Sequence, residues 1–262
     1  MEREPEGGTD MGLDLGRELN DEPATMRDAA PDYLAPIDES GPVSGHSPAP
    51  QPRSSPVDSP EQDWASARNL IYPAFRPVGT LGLAMETIDR DSLAGHGTLS
   101  HAQPLIDVGP AELPVVYTIH AGAYDIVVNG DHLLAWGCEP SDIQDAAMGN
   151  LAAWSAGAAW TDEISGERRL ISSDTGNGWD AARIMLPEVV AHLTSELGPL
   201  GRILVGLPER HLLTAASLRP GDDDFATMFA DFVVEQSGGA DEPIDRRVFE
   251  LVDGRLVEFS GV

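Results

Sequence analysis

The sequence predicts an α+β domain, antiparallel hairpins packed with amphipathic helices, preceded by a disordered N-terminal tail. Three observations carry this. Two pairs of β-rich runs are each joined by a short turn: PVVYTI (114–119) to YDIVV (124–128) through HAGA, and 247–252 to 255–259 through Asp253-Gly254. Asp-Gly between two such runs is a strong hairpin signal. Apolar stripes of helical period lie between the hairpins without regular strand–helix alternation, which is the α+β pattern. Finally, residues 1–62 hold 10 of the 21 prolines, with 14 acidic residues and 4 arginines. Their apolar residues have no period, so such a segment buries too little surface to offset its chain entropy. The expected organisation is a disordered acidic, Pro-rich tail over 1–62 and a single domain over 63–262.

The elements of the domain follow in order. Leu70-Ile71-Tyr72-Pro73 reads as a short strand that turns at Pro73. Residues 80–112 carry Gly, His, Asp and Pro without clear period and predict mostly loop, with a short strand at 81–86. After the first hairpin, Asp131 opens a short helix that Gly137 stops. Pro140, behind Glu139, suits the first position of a second helix, whose Ile143, Ala147, Leu151 and Trp154 form one apolar stripe. A strand at 168–173 leads into SSDTGNGWDAARIMLPE (172–188). A helix from about Gly178 to Leu197 follows, with Met185, Val189, Leu193 and Leu197 on one face, and Pro187 must kink or restart it. Ile203-Leu204-Val205 reads as a buried strand, and Leu212 to Ala215 as the next after a turn at Pro208. A helix over 222–236 has Asp222, Asp223 and Asp224 in its first turn, where the dipole favours anions. Phe225, Met228, Phe229, Phe232 and Val233 form its expected buried face.

Composition excludes several functions. The 262 residues include 44 acidic against 16 basic side chains, every one of the latter Arg, for a net charge of −28. Residues 63–262 keep 30 acids against 12 arginines, so the acidity belongs to the domain as well as the tail. Such a surface repels phosphate backbones and anionic lipid, which argues against nucleic acid and membrane partners. Zero Lys with abundant Ala, Gly and Pro points to a GC-rich bacterial genome, or to a salt-adapted organism. The single cysteine, Cys138, permits no intrachain disulfide, and MEREPEGG lacks the basic and apolar regions of a signal peptide. The expectation is a cytoplasmic protein.

The 172–188 stretch contains the candidate chemistry. Gly176-Asn177-Gly178-Trp179-Asp180-Ala181 matches the glycine pattern of dinucleotide-binding turns. However, Asp174 and Asp180 flank the glycines and would repel a pyrophosphate, and the acidic residue wanted about 20 positions on at the end of the next strand is not there: that strand ends Val205-Gly206-Leu207-Pro208, and Glu209 lies 31 residues past Gly178. Asp174-Thr175-Gly176 resembles the aspartic-protease tripeptide, yet no second copy supplies the paired carboxylate. A calcium loop fails because Ile184 stands where the bidentate Glu belongs. A capped helix start accounts for most of the residues: Asn177 as the cap, Asp180 at the capping-box position, Gly176 and Gly178 for the turn, and Arg183 within reach of Asp180.

The same stretch carries a resemblance. Asn177-Gly178-Trp179-Asp180-Ala181-Ala182-Arg183-Ile184 resembles the Asn-Asp-Gly-Tyr-Asp-Ala-Ser-Arg-Ile run of the YtpQ-like family of uncharacterised bacterial proteins. Ile71-Tyr72-Pro73-Ala74-Phe75-Arg76 resembles the family's Ile-Tyr-Pro-Val-Ile-Arg, and Asn150-Leu151 closes a similar helix. The elements at 203–213 and 243–256 fall in the same order. The resemblance spans about residues 68–259 and implies a fold, not a reaction.

Other chemistry is thin. His96 and His101 share a loop but fall short of a metal ligand set, and no Cys-x-x-Cys or His-Glu-x-x-His occurs. No Gly-x-Ser-x-Gly elbow is present, and a phosphate loop is excluded without Lys. Cys138 lies near a helix start, where Glu139 opposes a thiolate. No catalytic set, metal site or cofactor is expected. Arg76, Arg183 and Arg210 each sit at the edge of an apolar element; if they converge they make a guanidinium cluster for a carboxylate or a peptide C-terminus, and otherwise they pair with acids such as Asp180 or Glu209. The binding candidates are therefore Arg76, Asp174, Asn177, Asp180, Arg183 and Arg210. The expected function is a non-catalytic protein-interaction module, a small-molecule ligand remaining open. The alternative is a hydrolase-like enzyme with its site at 174–183.

Overall fold

Two sheets, antiparallel but for one strand pair, with helices packed against them, make up an α+β domain. The computed structural model describes residues 59–88, 90–95, 101–122 and 124–261. All of them belong to the second of the two units into which the chain divides, Arg53–Val262. The expected tail lies outside the described residues up to residue 58, as does His96. Contacts with the domain begin ahead of residue 63: Pro60–Gln62 forms a 3-10 turn, and Trp136 Nε1 donates to the Glu61 carbonyl at 2.8 Å.

The first sheet contains β1 (Ile71–Phe75), β2 (Leu83–Ala84), β3 (Leu105–Val108), β4 (Pro114–His120) and β5 (Asp125–Val127). Its order is β1-β4-β3-β2, with β5 also paired to β4, and the β2–β3 pair alone is parallel. The second sheet contains β6 (Thr161–Ser165), β7 (Arg168–Ser173), β8 (Arg202–Glu209), β9 (Leu212–Leu218), β10 (Val248–Val252) and β11 (Arg255–Glu258). Its order is β11-β10-β8-β9-β7-β6, antiparallel throughout. The helices are α1 (Trp64–Ala67), α2 (Arg90–Ala94), α3 (Gly130–Trp136), α4 (Pro140–Ser155), α5 (Pro187–Leu197) and α6 (Asp223–Gly239).

Alternation along β8 divides the interior. Ile203, Val205 and Leu207 join the main core with Val189, Leu193 and Leu197 of α5 and with Ile71, Phe75, Tyr117 and Ile119 of the first sheet. Leu204 faces the opposite way, with Ala216, Leu218 and Val248, onto Phe225, Phe229 and Val233 of α6. Because both faces of the second sheet are covered, all seven residues of β9 are buried. Each such Leu or Phe contributes roughly 1.5–3 kcal/mol of transfer free energy before chain entropy is counted.

The sequence predicts the Gly137 stop and the Pro140 start, whereas the helix expected to open at Asp131 starts at Gly130 behind an Asn129 cap. Asn129 caps α3 through the His132 amide at 3.2 Å, and Gly137 closes it in the left-handed conformation. Pro140 stands at the start of α4, whose Ile143, Ala147 and Leu151 are fully buried.

Several expectations need correction. No helix spans 178–197: residues Ala181–Met185 form a 3-10 turn, and α5 begins at Pro187. Proline pushes its predecessor out of helical geometry, and Leu186 is extended at φ −87, ψ 125, so Pro187 starts a helix rather than kinking one. Proline does not turn the chain at 73 or 208. Pro73 lies inside β1, an edge strand, where the missing N–H faces no partner. Pro208 lies inside β8 where the register with β9 shifts between Gly206 and Glu209, and a bulge tolerates it. In residues 80–112 the expected short strand is β2, and α2 and β3 are elements that the sequence reading did not name. The wholly exposed β6 has no apolar alternation to reveal it. Met228 is 55% exposed and is not part of the buried face of α6.

Gly206 of β8 packs under α6 with no room for a side chain. A Cβ there would stand 2.5 Å from Val233 Cγ2 and 2.9 Å from Thr214 Cγ2. Gly206→Ala should therefore destabilise the domain by about 2 kcal/mol in urea denaturation, the range of core overpacking. Val233→Ala in the same chain should recover part of that loss, whereas a neutral Gly206→Ala would mean that α6 adjusts freely.

Candidate functional site

The junction between β7 and α5 is a buried charge network. Asp180 and Arg183 are 0% and 1% exposed. Asp180 Oδ1 accepts from Ser173 Oγ at 2.5 Å and from the Thr175 amide at 3.1 Å, and Oδ2 accepts from Thr175 Oγ1 at 2.9 Å. Arg183 does not reach Asp180 along a helical face, as the sequence reading expects. Its Nη1 donates instead to Ser173 Oγ at 2.6 Å, so the serine hydroxyl lies between the two charges.

The remainder of the Arg183 guanidinium closes the C-terminal end of α4. Nε donates to Ser155 Oγ at 3.0 Å, and Nη2 donates to the carbonyls of Ser155 and Ala158 at 3.3 and 3.4 Å. Those carbonyls lie at and just past the helix terminus, where orphaned acceptors and the negative dipole end favour a cation. The guanidinium also lies 3.8 Å from the Trp160 ring centroid, a cation–π contact. Burial pulls its pKa below the usual arginine value, and the Asp180 charge acts in the opposite direction.

The glycines make the turn. Gly176 and Gly178 have φ of +74 and +82, the left-handed region that favours glycine. Asn177 does not cap the following turn. Its amide nitrogens, backbone and side chain, point back to Thr175 Oγ1 at 3.4 and 3.0 Å. The dinucleotide-like spacing thus serves a tight turn around a buried carboxylate. Trp179 stacks on Tyr72 of β1 with centroids 3.8 Å apart and planes 9° from parallel.

A cleft of about 420 Å³ opens beside this junction. Arg210, in the β8–β9 turn and 8% exposed, forms its floor. Its Nε donates to the Gly178 carbonyl at 3.1 Å, Nη2 pairs with Asp125 and Nη1 pairs with Glu242 at 2.8 Å. A Cβ on Gly178 would lie 2.7 Å from Nη2, so glycine is needed there on steric grounds too. Burial opposes the Arg210 charge, but Asp125 and Glu242 outweigh it and raise its pKa. Glu242 also meets Arg76 Nη1 at 3.6 Å, so two guanidiniums share one carboxylate. Asp125 binds His120 Nδ1 at 3.0 Å across the first hairpin, where the two residues are register partners. Burial alone would raise the Asp125 carboxyl, but Arg210 and His120 together hold it below its ordinary value. Tyr124 is 61% exposed at the rim.

The structure therefore divides the six candidates. Arg76, Asn177 and Arg210 line the cleft, while Asp180 and Arg183 are built into the core beside it. Asp174 is exposed at the junction and outside the cleft lining. The three arginines do not form one cluster. The sequence reading misses His120, Tyr124, Asp125, His211 and Glu242. The His120–Asp125 pair was not legible from the predicted hairpin: a HAGA loop pairs Ile119 with Tyr124, whereas β4 runs on through His120 and the register sets His120 opposite Asp125. Glu242 comes from a distant segment that no local pattern connects, whereas His211 directly follows Arg210. Among the described residues, no cluster of His, Cys, Asp and Glu has the geometry of a metal site, and no helix is long and apolar enough to cross a membrane.

No protein-family model, curated protein or solved structure matches this chain. The resemblance to the YtpQ-like family rests on the ordered residue runs quoted above.

Two outcomes follow from the network and the cleft. Asp180→Asn should cost about 3 kcal/mol in a urea melt, because it leaves a buried guanidinium without its counter-charge. A simple helix cap would cost about 1 kcal/mol. The Asp125 carboxyl, held below 3.8 in the folded chain, contributes stability that is fully present above that value and lost as pH falls through the lowered one. Asp125→Asn should therefore flatten the acid limb of the stability profile below about pH 4. An unchanged limb would show that the pair contributes nothing.

Proposed function

We propose that this chain is a non-catalytic protein-interaction module that engages its partner at the cleft beside the β7–α5 junction. The observation that carries the reading is the contrast between two neighbouring sets of polar groups. The residues the sequence offers for chemistry, Asp180 and Arg183, are enclosed and fully occupied. Next to them, Arg76, His120, Asn177 and Tyr124 reach an open cleft. Exposed Tyr beside Arg is the composition that protein interfaces favour. The net charge of −28 selects against acidic partners, nucleic acid and anionic membrane. The reading includes a cytoplasmic location, for which the single Cys138 speaks, and no cofactor.

Membership of the YtpQ-like family is part of the same proposal. Asn150, one of the residues that carry the resemblance, donates to the carbonyls of Arg68 and Ile71 and so fixes α4 to the start of β1. A hydrolase-like site at 174–183 is the second reading. It would need substrate to reach Asp180 or Arg183, and their burial disfavours it.

The test is capture by the tagged full chain from lysate of the source organism at two salt concentrations, read by mass spectrometry, with Tyr124→Ala alongside. A stoichiometric protein captured by the native chain and reduced at least tenfold by Tyr124→Ala, as expected for a hot-spot side chain, supports the module. Capture indifferent to Tyr124, or none at either salt, contradicts it. Tyr124 is exposed, so its removal should leave the melting temperature unchanged.

A further inference from the structure

We infer that Arg76 and Arg210 form a carboxylate-binding subsite for the C-terminal carboxylate of a partner polypeptide, with Glu242 as its resident occupant. The inference rests on the interaction-module reading and names the group that the cleft recognises.

Arg210 is fixed on two of its three nitrogens. Nε is tied to the Gly178 carbonyl and Nη2 to Asp125, which leaves Nη1 as the nitrogen that Glu242 occupies. The two carboxylates on this guanidinium differ. Asp125 is 17% exposed, lies on a strand and also binds His120. Glu242 is 40% exposed, and its oxygens bridge Arg210 and Arg76. Its segment is pinned only after it: the amides of Ile244 and Asp245 donate to the carbonyls of Pro208 and Leu207. Before it, α6 ends at Gly239, and Glu242 follows three residues on at the surface. With its side chain 40% exposed, Glu242 can be displaced by a side-chain rotation alone, while Arg210 stays held by the Gly178 carbonyl and Asp125.

A bound carboxylate would restore both guanidinium contacts, the geometry for which arginine pairs suit carboxylates. The surrounding charge selects the source of that carboxylate. A domain with 30 acids against 12 arginines repels polyanions. A single carboxylate at the end of a neutral or basic peptide meets far less of that repulsion. Tyr124 at the rim offers an aromatic face to the residues preceding it.

The experiment is fluorescence anisotropy on the full chain. The probes are labelled peptide pools of neutral and basic residues, ending in a free acid or in an amide, with acetate and succinate as competitors. The free-acid pool should bind, the amide pool at least tenfold more weakly. Glu242→Gln should tighten free-acid binding several-fold by removing the competing anion, and Arg76→Gln should abolish it. Both side chains are partly exposed, so the melting temperature of each variant checks that the fold is intact. Equal binding of acid and amide, no binding of either, or indifference to Glu242→Gln overturns the subsite. Competition by millimolar acetate or succinate as strong as by the peptide assigns it to free small carboxylates and overturns the peptide assignment. If a Tyr124-dependent partner is captured from lysate but binds independently of Arg76 and Glu242, the interaction module stands and this subsite falls.

Discussion

A buried guanidinium must be surrounded by acceptors, and the domain is arranged around meeting that requirement for Arg183. Its nitrogens join the end of α4, the last residue of β7 and, through the Ser173 hydroxyl, the carboxylate of Asp180. Trp160 covers its face. Three elements distant in sequence are thereby held at one point. An ion so placed has lost its hydration, and only a complete set of partners compensates. The polar crowding at this junction follows from that need rather than from chemistry performed there.

The cleft inherits its shape from the network. Asp180 draws Ser173 and Thr175 inward, which forces the chain through two left-handed glycines. That turn presents the Gly178 carbonyl to Arg210, and the Arg210 carbonyl accepts from the Ala181 amide in return. Trp179, carried by the same turn, stacks on Tyr72 and meets the edge of His120. The junction thus links the second sheet to the first and sets Arg210 and His120 on the two sides of one opening. Arg210 is thus held from behind by the Gly178 carbonyl and Asp125, with the more exposed Glu242 in front of it.

Much of the fold was legible because its elements announce themselves locally. The Asp253-Gly254 hairpin, the Asn129–Gly137 helix and the α4 stripe each depend on residues within one turn or one heptad. The α5 start was recoverable too, since Pro187 fixes the conformation of Leu186, although the apolar period from Met185 to Leu197 suggested a longer helix. The strand β6 was not legible: it is defined by pairing with β7 and carries no buried face. At the site, the sequence placed Asp180 and Arg183 near each other but not the serine between them, because Ser173 reaches both only once β7 is paired. The cleft draws on five separate segments, and spacing alone cannot bring Glu242 to Arg210. Arg76 and Arg210 meet at Glu242, while Arg183 lies in the core network.

The relay through Ser173 can be measured by a double-mutant cycle. Ser173→Ala, Asp180→Asn and the double variant would be compared with the native chain by urea denaturation. If one hydroxyl joins the two charges, each single change breaks the same relay. The double variant should then lose less than the sum, with a coupling of at least about 1 kcal/mol. Losses that add within about 0.5 kcal/mol would show that Ser173 and Asp180 act independently, and would contradict the view that this network organises the domain.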